Sequence, residues 1–400
     1  MITKKVFFHS TNHPCTENAM NLNMLKRWYS ANDWEVTSNF KEADFIIVST
    51  CGFSQSEENH ELQKIEEYTK GKKSDAEVVL TGCLPQINRT AVDKIFAGKY
   101  IRIQEMTDFN KVVSVEKKIE EFDNHFVSED EYNTDPKIHS YFRTRKRFEK
   151  LSFIPGVRVP KILYTVPSEK WFLIRCAMGC TGKCSYCGIK HAHGPIKSDP
   201  LDLILSQVRK GVAQGQREIA LTGEDQGGYG FDIGLDLADL LSAILAVDSN
   251  FVVNLRYIDP FWLVKLKDKL MPIFATGRIK AFCSPIQSGS DQVLAQMKRF
   301  YSAREVVDTV NEVITKTKVG MISSNIIVGF PGETEEDFDK SVEVVEQAKF
   351  GMYMVFKYED RPHTLASTYP NKISSDIIEK RYRILQKKIE ARHLKYLLWG

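Results

Sequence analysis

The sequence has almost no net charge, because its 55 lysines and arginines are nearly balanced by 52 aspartates and glutamates. Such a chain has no overall field of the kind that drives nonspecific binding to nucleic acids. Contact with a polyanion would have to come from a local patch. The basic run from Arg143 to Lys150 is one candidate, although such a run is more often a solvated surface.

Long apolar segments are also missing. The N-terminus, MITKKVFFHST, lacks the apolar stretch of a signal peptide, and no uncharged segment approaches the length needed to cross a membrane. We therefore expect a cytoplasmic protein with no membrane partner. In that reducing compartment, closely spaced cysteines are more often metal ligands or catalytic groups than disulfides.

The first hundred residues alternate strand-like and helix-like segments. The strand-like runs are KKVFFHS, ADFIIVSTC and AEVVLTGC, and helix-like runs follow them. This alternation predicts an α/β fold, with a small parallel, Rossmann-like domain over residues 1–115. Cys15, Cys51 and Cys83 each come just after a predicted strand. Because the carboxyl ends of parallel strands share one edge of a sheet, we expect these three thiols to converge there.

The remainder of the chain divides into three predicted parts. Residues 116–168 combine an acidic cluster, basic residues and scattered prolines, which indicates a linker or arm. Over 169–372, the six strand-like runs WFLIR, EIALTG, FVVNLRY, IKAFCSP, MISSNIIVGF and MYMVFKY predict a partial (β/α)6 barrel. The active site of such a barrel lies at the carboxyl ends of its strands. The pattern of apolar and basic residues over 373–400 predicts a basic amphipathic helix.

Four of the eight cysteines stand in CAMGCTGKCSYC, directly after the first barrel strand. Cys180, Cys184 and Cys187 form C-x3-C-x2-C. Three thiolates on such a loop can bind three irons of a cubane cluster and leave the fourth iron open. A zinc site is the structural alternative, with Cys176, His191 or His193 as a fourth ligand. The position after a barrel strand, where catalytic groups are expected, favours the cluster.

The C-x3-C-x2-C spacing, with Tyr186 before the last cysteine, resembles the signature of radical S-adenosylmethionine enzymes. The resemblance implies that the open iron binds S-adenosylmethionine and that reduction releases a 5′-deoxyadenosyl radical. It also implies an external electron donor such as flavodoxin or ferredoxin. Cys176 is then an inert neighbour of the ligands.

Four longer motifs extend the resemblance: LTGEDQGGYGFDIG, PIQSGSDQVLAQMKR, IIVGFPGETEEDF and YEDRPHTLAS. In this order they are similar to the methylthiotransferase family, and the first is closest to the branch that modifies threonylcarbamoyl-adenosine in tRNA. The family implies a second 4Fe-4S cluster on Cys15, Cys51 and Cys83. It also implies a radical reaction that places a methylthio group at an unactivated C–H bond.

The resemblance assigns contacts to S-adenosylmethionine along the ends of the barrel strands. Glu224 would meet the amino group and Arg256 the carboxylate, although a surface carboxylate and a structural ion pair are the ordinary explanations of these two residues. Asn325 would contact the ribose, and the turn from Gly329 to Glu333 would lie near the adenine. The full predicted set is Tyr186, Thr222, Gly223, Glu224, Arg256, Gln287, Ser288, Asn325, Gly329, Phe330 and Pro331.

The sequence departs from the family in ways that concern the substrate. Asn21 and Asn23 stand where the family usually has acids, and Asn325 stands where it usually has aspartate. The small C-terminal β-barrel domain that grips tRNA or ribosomal protein in the family is not in the sequence. We therefore expect a peptide or a small natural product as substrate, with threonylcarbamoyl-adenosine in tRNA as the alternative.

Two other classes of protein share parts of this pattern. A cobalamin-dependent radical methyltransferase also places an α/β domain before a radical barrel, but its usual D-x-H-x2-G loop is not in the sequence. A non-catalytic iron-sulfur sensor would explain the cysteines. It would not explain the motifs that resemble a cofactor-binding barrel.

Overall fold

The computed structural model describes residues 4–11, 15–113, 115–123, 126–127, 143–144, 147–148, 150–151, 154 and 171–399. The chain divides into two compact units. The first comprises residues 1–126, 187–195 and 361–367, and the second comprises 127–186, 196–360 and 368–400. Most of the predicted linker, 116–168, lies outside the described residues. The predicted domain boundaries stay predictions.

The first unit contains a parallel five-stranded sheet in the order β2-β1-β3-β4-β5. Its strands are β1 (Lys5–His9), β2 (Glu35–Thr37), β3 (Phe45–Thr50), β4 (Glu77–Gly82) and β5 (Lys99–Tyr100). The central β3, FIIVST, is buried at every position, as expected for a strand covered on both faces. The short edge strands β2 and β5 were not predicted, because two or three residues carry no periodicity.

The helices of the first unit follow its strands. They are α1 (Thr16–Ala31), α2 (Gln55–Gly71), α3 (Leu84–Ile87), α4 (Arg89–Asp93) and α5 (Ile189–His193). The α2 helix begins at Gln55 because the Ser54 hydroxyl accepts a hydrogen bond from the Glu57 N–H, at 3.2 Å. The cap holds the start of α2 a few residues beyond Cys51.

The second unit contains a seven-stranded sheet in the order β14-β13-β12-β11-β10-β7-β6. All six predicted strands are confirmed and lie parallel to their neighbours. The strands are β6 (Phe126–Val127), β7 (Trp171–Arg175), β10 (Glu218–Thr222), β11 (Val252–Tyr257), β12 (Ile279–Cys283), β13 (Met321–Val328) and β14 (Met352–Lys357). An antiparallel ribbon of β8 (Ala177–Met178) and β9 (Lys197–Ser198), which was not predicted, follows β7.

Helices cover one face of this sheet. They are α6 (Leu201–Ala213), α7 (Leu237–Leu245), α8 (Pro260–Lys265), α9 (Lys267–Ala275), α10 (Asp291–Gln296), α11 (Ala303–Lys316), α12 (Glu335–Gln347) and α13 (Ser375–Trp399). Val253 and Leu255 of β11 belong to the apolar core. Because side chains alternate along a strand, Asn254 and Arg256 lie on the opposite, inner face.

The C-terminal helix α13 packs on the second unit. Leu385 and Ile389 belong to the apolar core of the second unit. Arg392 donates hydrogen bonds to the carbonyl oxygens of Phe350 and Ala348, at 2.6 and 2.5 Å. At least part of the positive charge of α13 is therefore used in packing. No helix in the described part of the chain is long and apolar enough to cross a membrane.

Candidate functional site

The cysteine loop of the second unit begins directly after β7. The β8-β9 ribbon pairs Ala177 with Ser198 and Met178 with Lys197, so it closes the base of the segment that carries Cys180, Cys184 and Cys187. The order strand, ribbon, cysteine loop places these thiols at the carboxyl end of the first barrel strand, as predicted.

Cys180 contacts a carboxyl group that had no predicted role. Its Sγ lies 3.6 Å from Oδ2 of Asp225, and it accepts a hydrogen bond from the Gly182 N–H at 3.1 Å. The same Asp225 oxygen accepts the Thr181 N–H at 3.1 Å. Burial, and then the charge of Asp259, raises the pKa of Asp225. The first long motif, LTGEDQGGYGFDIG, thus reaches the cysteine loop through this side chain.

Cys184 contacts a buried arginine. Nη1 of Arg299 lies 3.1 Å from Cys184 Sγ and 2.8 Å from a carboxylate oxygen of Asp259. Arg299 Nε also donates to the Tyr301 hydroxyl at 2.8 Å. Arg299 is the last residue of the PIQSGSDQVLAQMKR motif. The sequence alone gives no sign that its guanidinium reaches a cysteine.

Cys176 lies apart from these three thiols. It is wholly buried in the apolar core, and its Sγ donates to the Thr222 carbonyl oxygen at 3.4 Å. Burial raises the pKa of its thiol strongly. Such an environment suits an inert neighbour rather than a ligand.

The zinc alternative has no preformed site in the described ranges. There, no three His, Cys, Asp or Glu side chains come together in a way that could hold one metal ion. His193 instead lies in the first unit, beside Cys83. A cubane cluster attaches its cysteines to different irons, so its ligands need not converge on one point.

The segment after β10 packs tightly against the ribbon. Glu224 Oε2 accepts the Gly179 N–H at 2.7 Å. Gly223 has a φ of 152°, and a Cβ added there would lie 2.7 Å from the Ala177 carbonyl oxygen. Thr222 is fully buried. Only glycine allows this close approach, which brings the Glu224 carboxylate to the start of the cysteine loop.

Gln287, which lies beyond the end of β12, is a backbone neighbour of Asn325 within β13. The Gln287 N–H donates to the Asn325 carbonyl at 2.9 Å, and the Gln287 carbonyl accepts the Ile327 N–H at 2.8 Å. Gln287 has a positive φ of 69°, a strained value for a residue with a side chain. Cys283 Sγ lies 4.0 Å from Asn325 Oδ1. Burial raises the pKa of the Cys283 thiol to about 11, against the smaller opposing effects of Ser323 and the charge of Arg256.

The turn after β13 is fixed by a buried carboxylate. Glu333 accepts the Gly329 N–H and a hydrogen bond from Arg381, both at 2.8 Å. The Phe330 ring is wholly buried against the rings of Tyr358 and Tyr369. These contacts hold the turn, including Pro331, in place against the second unit. Ser288 similarly serves a local turn by accepting the Ser290 N–H at 3.1 Å.

The cysteines of the first unit stand at the carboxyl ends of three neighbouring strands. Cys15 caps α1, where its Sγ accepts the Asn18 N–H at 3.4 Å; Cys51 follows β3 and Cys83 follows β4. Burial raises the pKa of Cys51 to about 12, and the Cys83 thiol adds to this rise. Burial, Glu17 and the other two thiols raise the pKa of Cys15. The three sulfurs therefore lie within electrostatic range of one another.

Two side chains from later parts of the chain support this thiol group. His193 Nε2 lies 3.3 Å from Cys83 Sγ. Arg361 Nη2 donates to the Gly52 carbonyl at 2.9 Å and to Glu58 at 2.5 Å. Arg361 had no predicted role, and His193 was a candidate only as a ligand in the zinc alternative. Both belong to the first unit, where His193 contacts Cys83 and Arg361 contacts the backbone next to Cys51.

Comparison with known proteins decides the family. Residues 174–345 match the Radical SAM superfamily, and residues 5–101 match the uncharacterized protein family UPF0004. The chain is 30% identical to a probable threonylcarbamoyladenosine tRNA methylthiotransferase of Pyrococcus abyssi, over 94% of this chain and 82% of the relative. The chain belongs to the radical S-adenosylmethionine methylthiotransferase family.

A second relative agrees with this placement, and a solved structure shares the fold. The ribosomal protein uS12 methylthiotransferase of Protochlamydia amoebophila is 28% identical over 91% of this chain and 73% of the relative. The radical S-adenosylmethionine methyltransferase TsrM of Kitasatospora setae, solved with cobalamin and a [4Fe-4S] cluster, matches with a TM-score of 0.60. It is 13% identical over 92% of this chain and 77% of its own, so it shows the fold alone.

The methylthiotransferase family uses S-adenosylmethionine and two 4Fe-4S clusters. The donor set fits these groups, because the chain presents two sets of three cysteines and thiolates are the usual ligands of such clusters. Among the described residues, both amide atoms of Asn254, Ser284 Oγ and Gln287 Oε1 are buried without a hydrogen-bond partner. Buried polar atoms normally have partners, so these suit a polar ligand such as the cofactor.

Proposed function

We propose that Cys180, Cys184 and Cys187 bind the cluster that activates S-adenosylmethionine, and that Cys15, Cys51 and Cys83 bind the second cluster of this methylthiotransferase. The supporting observation is that each set of three cysteines follows the carboxyl ends of parallel strands. Cys180 lies beside Asp225, Cys184 lies beside Arg299, and Cys83 lies beside His193.

When bound, S-adenosylmethionine and the two clusters supply the carbon radical, the methyl group and the sulfur that the reaction requires. The chain's own residues position these groups. Glu224 offers a negative charge to the cofactor's ammonium, and Arg256 offers a positive charge to its carboxylate. Gln287 and Asn325 offer neutral hydrogen-bonding groups to its hydroxyls.

For the substrate, we propose a threonylcarbamoyladenosine-type nucleoside in tRNA. The support is the motif LTGEDQGGYGFDIG, the one closest to that branch, which contacts the cysteine loop directly through Asp225. A relative of that name matches over 94% of this chain. This choice reverses the preference for a peptide or small natural product that the sequence alone suggested.

A peptide or small-molecule substrate is the second candidate. It is favoured by Asn21, a neutral and buried residue of α1 at a position where the family usually has an acid. Cys15 caps the start of this helix, so the neutral Asn21 side chain lies close in sequence to a proposed cluster ligand. The cytoplasmic location and the flavodoxin or ferredoxin donor remain part of the proposal.

Two measurements test the proposal. The anaerobically reconstituted and reduced protein should cleave S-adenosylmethionine to 5′-deoxyadenosine, and Cys184→Ala should abolish this activity. A protein that makes none would fit a non-catalytic iron-sulfur sensor. Mass spectrometry of tRNA nucleosides from a deletion strain should show the loss of one methylthio nucleoside, restored by the wild-type gene. An unchanged tRNA profile beside a gene for a precursor peptide would support the second candidate.

A further inference from the structure

A cavity of about 280 Å³ lies in the second unit, and Cys184 forms part of its wall. The cavity also touches Thr181 and Gly182, so it follows the cysteine loop. None of the residues proposed to bind S-adenosylmethionine lines it. The cavity is therefore distinct from the cofactor site inside the barrel, yet it reaches a proposed cluster ligand.

The rim of the cavity is basic. Lys183, Lys265 and Lys298 line it, all three are exposed, and none forms an ion pair with a described residue. The ammonium of Lys265 lies 5.4 Å from the centre of the Phe261 ring and 4.8 Å from that of Trp262. The acidic lining residue, Asp259, is already paired with Arg299. Three positive charges therefore remain for a partner.

The rim also carries exposed aromatic rings. Phe231 is 67% exposed and Phe300 is 69% exposed, and both line the cavity together with Phe261 and Trp262. Large apolar side chains exposed to this extent next to one another are typical of an interaction surface. A basic rim around an apolar centre selects an acidic partner with a small apolar patch of its own.

The floor of the cavity connects this surface to the redox centre. Cys184 lines the cavity, and its Sγ accepts a hydrogen bond from Arg299, which is 8% exposed. A partner seated on the rim would thus lie against a cluster ligand with no intervening layer of protein. This short path is what a one-electron transfer between proteins requires.

We propose that this surface docks the acidic one-electron carrier protein that reduces the cluster held by Cys180, Cys184 and Cys187. In the docked state, one electron leaves the reduced carrier and enters the cluster, and no covalent bond forms or breaks. The lysines attract and orient the carrier, while Phe231 and Phe300 exclude water from the contact. The inference rests on the proposed function, because it takes Cys184 as a ligand of that cluster.

A charge reversal tests the surface. The variant Lys183→Glu/Lys265→Glu/Lys298→Glu should bind purified flavodoxin roughly tenfold or more weakly than the wild type, and the wild-type affinity should fall as salt is added. Its flavodoxin-driven cleavage of S-adenosylmethionine should fall to a similar extent. Cleavage driven by dithionite, a small reductant that needs no docking surface, should be retained.

The matched control reverses three exposed lysines of the same unit that lie away from the cavity, in Lys318→Glu/Lys380→Glu/Lys387→Glu. This control should bind flavodoxin as the wild type does. Equal loss in both variants, or unchanged flavodoxin binding by the rim variant, would overturn the proposal. Loss of tRNA binding without loss of flavodoxin binding would instead identify a nucleic-acid surface. Because binding is measured without turnover, it gives an answer even if the wild type cleaves no S-adenosylmethionine.

Discussion

Nε2 of His193 lies 3.3 Å from Sγ of Cys83, and both side chains are buried. His193 belongs to α5, which begins shortly after Cys187 in the sequence. The segment that leaves the C-x3-C-x2-C loop therefore supplies a hydrogen-bonding group to a thiol of the other cysteine set. This contact makes His193 a positioning residue for the proposed second cluster.

Replacing His193 should change the reduction potential of that cluster. A hydrogen bond from Nε2 to a ligand sulfur stabilises the more negative, reduced state, so His193→Phe should lower the potential. The measurement is a redox titration followed by electron paramagnetic resonance, in a Cys180→Ala/Cys184→Ala/Cys187→Ala background that retains one cluster. His193→Gln, which keeps a donor, should recover part of the shift. Equal potentials in all three proteins would contradict the role.

The iron content should divide between the two cysteine sets. The reconstituted wild type should hold about eight irons if both clusters are of the four-iron type. Cys15→Ala/Cys51→Ala/Cys83→Ala should lose about half of this iron, whereas Cys176→Ala should lose none because Cys176 lies in the apolar core. Iron and sulfide analysis provides the measurement. Full iron content in the triple variant would refute the assignment of the second cluster.

The stability of the protein should depend on the buried ion pair of Arg361 and Glu58. The two side chains are 5% and 4% exposed and lie 2.5 Å apart. Arg361→Met would leave Glu58 charged and uncompensated, at a cost of about 3–5 kcal/mol in the free energy of unfolding. Arg361→Met/Glu58→Met should recover much of this loss, because it buries no unpaired charge. Denaturant unfolding compares the three proteins, and a double variant no more stable than the single one would argue against the pair.

Glu333 should make the stability of the second unit depend on pH. Burial raises its pKa from 4.5 to about 7, against the opposing effects of the Gly329 N–H and Arg381. Between these values the folded state holds the proton that the unfolded state has lost. The contribution of Glu333 to stability is therefore largest below pH 4.5 and falls as the pH rises through 7, by about 3 kcal/mol in total.

The matched variant for this effect is Glu333→Gln, which cannot ionise. The melting temperature of the wild type relative to this variant should fall between pH 5 and pH 8 on the order of several degrees. A constant difference across that range would show that Glu333 keeps an ordinary pKa.

Gly223 should tolerate no side chain. An added Cβ would lie 2.7 Å from the Ala177 carbonyl oxygen, so Gly223→Ala should displace β10 from the ribbon and weaken S-adenosylmethionine binding. The control is Gly215→Ala, which also has a positive φ, of 84°, but has no atom within 4 Å of an added Cβ. The strain common to both is about 1–3 kcal/mol. Isothermal titration with S-adenosylmethionine should separate them; equal affinities would contradict the close packing at Gly223.

Strand periodicity and cysteine position predicted much of this architecture from sequence. The six barrel strands were predicted because each is a short segment rich in apolar residues between helix-like segments, and the thiols of the first unit because each follows a strand-like run. The β8-β9 ribbon has two residues a strand, which is too short for any pattern. The roles of Arg299 and His193 depend on contacts across 115 and 110 residues of chain. Such contacts leave no local signal in a single sequence.

The most direct test of the account is an isotope experiment with tRNA from the deletion strain. Wild-type protein, S-adenosylmethionine with a deuterated methyl group and a reductant should convert one adenosine derivative of that tRNA into its methylthio form carrying the label. The Cys15→Ala/Cys51→Ala/Cys83→Ala variant should form no such product, even if it still releases 5′-deoxyadenosine. Release of 5′-deoxyadenosine by the wild type with no labelled methylthio nucleoside would contradict methylthio transfer to tRNA.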